Sequence, residues 1–77
     1  MREFEIRIRS FQDVQDFVSV ASVQPFRIIV SSSREIVNAK SFIGMASLDY
    51  SQPIMVRCDC TTEQLEDFRQ QAERFLA

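Results

Sequence analysis

The sequence predicts an α+β fold in which a four-stranded antiparallel sheet carries three helices on one face, in the order β-α-β-β-α-β-α. Three observations lead there. Segment 3–9 alternates apolar and polar residues with period two, and segment 54–60 places Ile54, Val56, Cys58 and Cys60 on one entirely apolar face. Two other segments repeat apolar residues at helical spacing, and between them two short β-branched runs flank three consecutive serines. With 77 residues, 45% hydrophobic and 26% charged, the chain reads as one domain over 1–77, without linker, repeat or low-complexity tract.

Taken in order, Phe4, Ile6 and Ile8 alternate with Glu3, Glu5, Arg7 and Arg9, the pattern of a strand with one buried face. Val14, Phe17, Val18 and Ala21 form a helical stripe, preceded by Asp13, which can cap the first turn or complement its dipole. After Pro25, residues 26–30 and 34–38 read as the arms of a hairpin around Ser31, Ser32 and Ser33, where serine serves as a common turn residue. Ser41 is placed to N-cap a two-turn helix containing Phe42, Ile43, Met45, Ala46 and Leu48, and 49–53 is a turn. Ile54, Val56, Cys58 and Cys60 alternate with Met55, Arg57 and Asp59 to give the fourth strand. Thr61 and Gln64 fit a capping box that opens the closing helix, whose stripe of Leu65, Phe68, Ala72 and Phe75 runs to about Leu76.

Composition narrows the chemistry. The chain has no histidine, so no imidazole carries a phosphoryl group, ligates a metal or moves a proton. Nine basic against eleven acidic residues give a net charge of -2, with no basic tract to form a phosphate-neutralising footprint, so no direct nucleic-acid partner is expected. Cys58 and Cys60 share one face of a strand with Cα atoms about 6.6 Å apart, at the edge of disulfide reach. A zinc site wants four ligands, and the pair reads as reduced core thiols, so no metal and no cofactor is expected. Glu5, Arg7 and Arg9 interrupt the first apolar residues, and no segment approaches the ~20 apolar residues of a membrane span, which points to the cytoplasm. The carboxylates, hydroxyls, amines and thiols form no visible catalytic constellation, and an enzyme is not expected.

The stretch Val37-Asn38-Ala39-Lys40-Ser41-Phe42-Ile43-Gly44-Met45-Ala46-Ser47-Leu48 resembles the regulatory-serine segment of the HPr phosphocarrier family, with Ala39-Lys40-Ser41 its most characteristic part. The resemblance implies that family's open-faced β-sandwich, whose element order agrees with the one above. It also implies that Ser41 matches the serine modified by HPr kinase/phosphorylase in Gram-positive relatives. Lys40, Phe42, Ile43 and Met45 would then belong to a partner-docking patch, in which Ala46 replaces a longer apolar side chain. The simpler reading of Ser41 is a helix cap, and the two are compatible. The family's phosphoryl-accepting histidine stands at the start of the first helix. Here that stretch is Ser10-Phe11-Gln12-Asp13, with histidine, neighbouring arginine and usual proline all missing. Asp13 is expected to satisfy the free helix N–H groups and to repel an incoming anion.

What the resemblance implies is therefore an HPr-like protein not competent for histidine phosphotransfer. It would act as a regulator or adaptor through protein binding, linked to the sugar phosphotransferase system and switched at Ser41. A histidine-lacking branch of the family sets the precedent, acting in catabolite repression by binding a transcription factor. HPr kinase/phosphorylase and a transcription factor are the implied partners, and the chain is expected to be a monomer or weak dimer. The alternative is an unregulated structural or interaction relic of the fold.

Overall fold

The computed structural model describes all 77 residues and gives the elements β1 (Arg2–Ile6), α1 (Phe11–Ser22), β2 (Ile28–Ser31), β3 (Ile36–Asn38), α2 (Phe42–Ala46), β4 (Ile54–Cys58) and α3 (Thr62–Gln71), followed by a 3₁₀ turn at Glu73–Phe75. The strands form one antiparallel sheet in the order β1-β4-β2-β3. This is the architecture the sequence predicts. Because side chains alternate across a sheet, the row Val37, Val30, Val56 and Phe4 faces the helices. The neighbouring row of Asn38, Ile29, Arg57 and Glu3 lies on the open face. Glu3 and Arg57 form an ion pair there at 3.0 Å, and its half-exposed partners contribute little to stability.

The core is one cluster. Ile6, Ile28, Val30, Ile54, Val56 and Cys58 come from the sheet, and Phe17, Ala21, Met45, Phe68 and Ala72 cover them from the helices. Phe68 is its hub, with Phe4, Phe17 and Phe26 at centroid distances of 5.6, 6.0 and 5.9 Å.

Several elements end earlier than the periodicity suggests. β1 stops at Ile6, opposite Ile54, because Pro53 precedes β4 and has no N–H to extend the ladder. Arg7 N instead donates to Phe75 O at 2.7 Å and Ala77 N to Glu5 O at 3.2 Å, so the last residues line the outer edge of β1. Ile8 is still buried although it lies outside the strand. The hairpin arms are short because Ser32 closes the turn, its N–H donating to Glu35 O at 2.9 Å and its hydroxyl accepting from Glu35 N at 3.3 Å. Cys60 lies beyond β4, partly buried in the run-up to the Thr61 cap, whereas Cys58 is fully buried and burial pushes its thiol up to about 12.

α3 opens on the expected capping box: Gln64 N donates to the Thr61 hydroxyl at 3.1 Å, and Thr61 N donates to Gln64 Oε1 at 3.0 Å. It does not run to Leu76. The helix ends at Gln71, and Phe75 reaches the core through a tighter turn in which its N–H donates to Ala72 O at 2.9 Å. On its exposed face, Glu66 pairs with Arg69 and Gln71 donates to Asp67. Thr61→Ala removes one half of the box and is expected to lower stability by about 1 kcal/mol, seen as a lower urea midpoint at unchanged slope.

Candidate functional site

The segment around Ser41 is built by a turn at the end of β3. Asn38 Oδ1 accepts from Lys40 N at 2.9 Å, and Asn38 O accepts from Ser41 N at 3.0 Å. Ala39, between them, is fully buried. This leaves Ser41 extended, with φ -98 and ψ 111, as the N-cap of α2, where its hydroxyl accepts from Gly44 N at 3.1 Å. Gly44 is small for a packing reason. A Cβ there would stand 3.3 Å from both Ser41 Oγ and Val37 Cβ, so its absence lets α2 lie close against β3.

The four residues assigned to docking divide. Phe42 and Ile43 are 37% and 84% exposed and form an apolar surface at the start of α2. Met45 is corrected: it is fully buried, because a five-residue helix must turn one side onto the sheet and this is the side chain that fills it. Lys40 is also corrected. Its Nζ donates to Gln24 O at 2.7 Å, in the loop just past α1, so it is not a free docking cation beside Ser41. Gln24 is itself buried and donates to Val20 O at 3.0 Å and Gln71 Oε1 at 3.1 Å, joining α1 to α3.

At the start of α1, Ser10 is the N-cap, with φ -154 and ψ 165 and its hydroxyl accepting from Asp13 N at 3.1 Å. The expectation that Asp13 caps this helix and satisfies its free N–H groups is therefore corrected. The Asp13 carboxylate turns the other way, accepting from Arg9 N at 3.0 Å and from Arg74 Nη1 at 3.0 Å. Arg74 also pairs with Asp16 and lies 4.2 Å from the centroid of the Phe75 ring. The Arg9 N–H, followed by the Arg74 guanidinium, holds the Asp13 carboxyl below the ordinary carboxylate range. Gln12 is exposed and donates to Asp16 Oδ1 at 2.9 Å.

Phe11 joins the two halves of the site. It is 62% exposed, and its ring meets Phe42 edge-on, with centroids 5.5 Å apart and planes at 89°. The sequence reading placed Phe11 in the degenerate phosphocarrier position and missed it as part of the apolar surface. Its spacing from Val14 and Val18, i+3 and i+7, is the signal that puts it on the edge of the α1 stripe facing α2. The result is a contiguous patch of Phe11, Phe42 and Ile43, bordered by Ser41. The chain has no group of three or more cysteine, aspartate or glutamate side chains placed to hold a metal, and no helix long and apolar enough to cross a membrane.

No protein-family model matches the sequence, and no curated protein matches it either. Among solved structures, a crystal structure of HPr-C-His from Thermoanaerobacter tengcongensis is similar to this chain, with a TM-score of 0.75 and 27% sequence identity over 95% of this chain and 92% of that one.

Proposed function

We propose that this chain, HPr-like in fold and without a histidine, works as a non-enzymatic cytoplasmic adaptor linked to the sugar phosphotransferase system, binding a protein partner under the control of phosphorylation at Ser41. One observation carries the reading: two exposed aromatic rings and the 84%-exposed Ile43 form a patch directly beside that serine. Exposed apolar side chains that cluster, rather than lie scattered singly, are the kind of surface a protein partner covers. A phosphate on Ser41 adds about -1.5 to -2 charges at the rim of that patch, enough to change what docks there. HPr kinase/phosphorylase is the modifying enzyme this reading calls for, and a transcription factor is the partner class that the family precedent suggests.

The Ser41 hydroxyl already has a structural use, accepting from Gly44 N at 3.1 Å, and that favours a second reading in which the docking surface is unregulated. One experiment separates the two. Incubation with an HPr kinase and ATP should add a single phosphate to the wild type and none to Ser41→Ala, and the modified protein should bind its partner with an affinity altered by about tenfold or more. No incorporation removes the switch and leaves the unregulated module.

A further inference from the structure

Cys58 and Cys60 are reactive side chains that the Ser41 patch does not use, and the fold brings both to the joint between β4 and α3. Both face the core. Cys58, the last residue of β4, is fully buried, and Cys60 packs partly buried against the same cluster, while Asp59 between them is exposed. Residues two apart on an extended chain have Cα atoms about 6.6 Å apart, just inside the span of about 4.4–6.8 Å that disulfides cover. Joining the two sulfurs therefore takes a small rotation of the backbone, and the chain can supply it at one residue.

On both sides of Cys60 the backbone is fixed. Before it, Asp59 N donates to Arg27 O at 2.9 Å, continuing the β2–β4 ladder one residue past the strand. After it, Thr61 is held by the capping box. Cys60 itself stands at a bend and makes no hydrogen bond to another backbone group. Turning it breaks no such bond of its own.

The two thiols also differ in access. Cys60 is the one that solvent reaches. Cys58 is closed off, and burial, followed by the neighbouring Cys60 thiol, keeps it protonated at neutral pH. An oxidant meets Cys60 first, with Cys58 held beside it as the second thiol.

We infer that Cys58 and Cys60 form a redox-modification site that reacts with small-molecule disulfides and closes into an intramolecular disulfide at the joint between β4 and α3. Cys60, as its thiolate, attacks one sulfur of the small disulfide; a mixed disulfide forms at Cys60 and the other half leaves as a thiol, taking up the proton. The Cys58 sulfur, giving up its proton, then attacks Cys60 Sγ and expels the remaining half as a second thiol. Two protein thiols are oxidised and one small disulfide is reduced to two thiols. A ring closed over so few residues restrains the unfolded chain least, which makes the bond a reversible switch rather than a structural staple. The site is independent of Ser41.

Incubating the full 77-residue chain under native conditions with oxidised glutathione, followed by acid quenching and intact-mass measurement, tests this. The wild type should lose the mass of two hydrogen atoms and all reactivity toward Ellman's reagent, and dithiothreitol should restore both. Cys58→Ala should stop at a stable glutathione adduct on Cys60. Cys60→Ser should stay unmodified while folded, because its remaining thiol is buried. Far-UV circular dichroism checks that each variant is folded, and the wild-type mass decides the question where a variant is not. A stable glutathione adduct on the wild type would overturn the inference, since Cys58 then fails to resolve it. So would an unmodified wild type, a disulfide that forms only in urea, or a covalent dimer on a non-reducing gel that Cys60→Ser abolishes.

Discussion

Replacing Phe68 with alanine is expected to lower stability by about 3–5 kcal/mol. That is a large part of the roughly 4–11 kcal/mol that a domain of this size possesses. Phe68 is fully exposed to neighbours and not to water: it is 0% solvent-accessible, and Phe4, Phe17 and Phe26 surround it. These rings come from β1, α1 and the approach to β2, so one side chain closes the contact between α3 and three other parts of the chain. Edge-on aromatic pairs add about 0.5–1.5 kcal/mol each beyond the area they bury, and the space left behind has no neighbour small enough to collapse into it at no cost. Phe68→Leu keeps most of the volume and should lose much less. Urea denaturation followed by far-UV circular dichroism checks this. A midpoint shift for Phe68→Ala no larger than that of Thr61→Ala would sink the account of the core.

The parts of the fold that the sequence announces are those set by local periodicity. The alternation at Phe4 and Ile6, the stripe of Val14, Phe17 and Ala21, and the Thr61–Gln64 box each depend on residues within a few positions of one another, and each forms where expected. Element ends depend on distant partners and were less legible. β1 ends where Pro53 leaves its neighbour without a donor, and α3 ends where Phe75 must turn back to meet Phe17 at 5.5 Å. No pattern inside either segment encodes those events.

The site divides in the same way. Ser41 as a cap is readable because the N–H that donates to its hydroxyl is only three residues away, at Gly44. Lys40 is tied to a carbonyl 16 residues back, and Asp13 to a guanidinium 61 residues on, so neither assignment follows from local sequence. Met45 and Ile43 look alike as apolar residues of one short helix. Which of them is buried depends on how α2 sits against the sheet, and a five-residue helix is too short to show a periodic face.

The Asp13 contact leads to a pH dependence whose sign is fixed by the direction of its shift. The folded-state carboxyl titrates below its ordinary value, so its contribution is fully present above the unfolded pKa of about 3.9 and is lost as pH falls through the lowered folded value. At neutral pH, Asp13→Ala leaves the Arg9 N–H and the Arg74 guanidinium without their acceptor, and is expected to cost about 1–2 kcal/mol. Asp13→Asn can still accept from Arg9 N and loses only the charge on Arg74, which is 54% exposed and screened by solvent, so its cost should be smaller. Arg74→Ala spares the Arg9 bond but also removes the Asp16 pair and the contact with the Phe75 ring, so it does not isolate the Asp13 contact. Stability measured from pH 7 downward should show the wild-type and Asp13→Ala curves converging below about pH 4. Curves that stay parallel into strong acid would mean that the carboxylate does not hold the first turn of α1 to the 3₁₀ turn, and that the geometry of the Phe11 surface has another source.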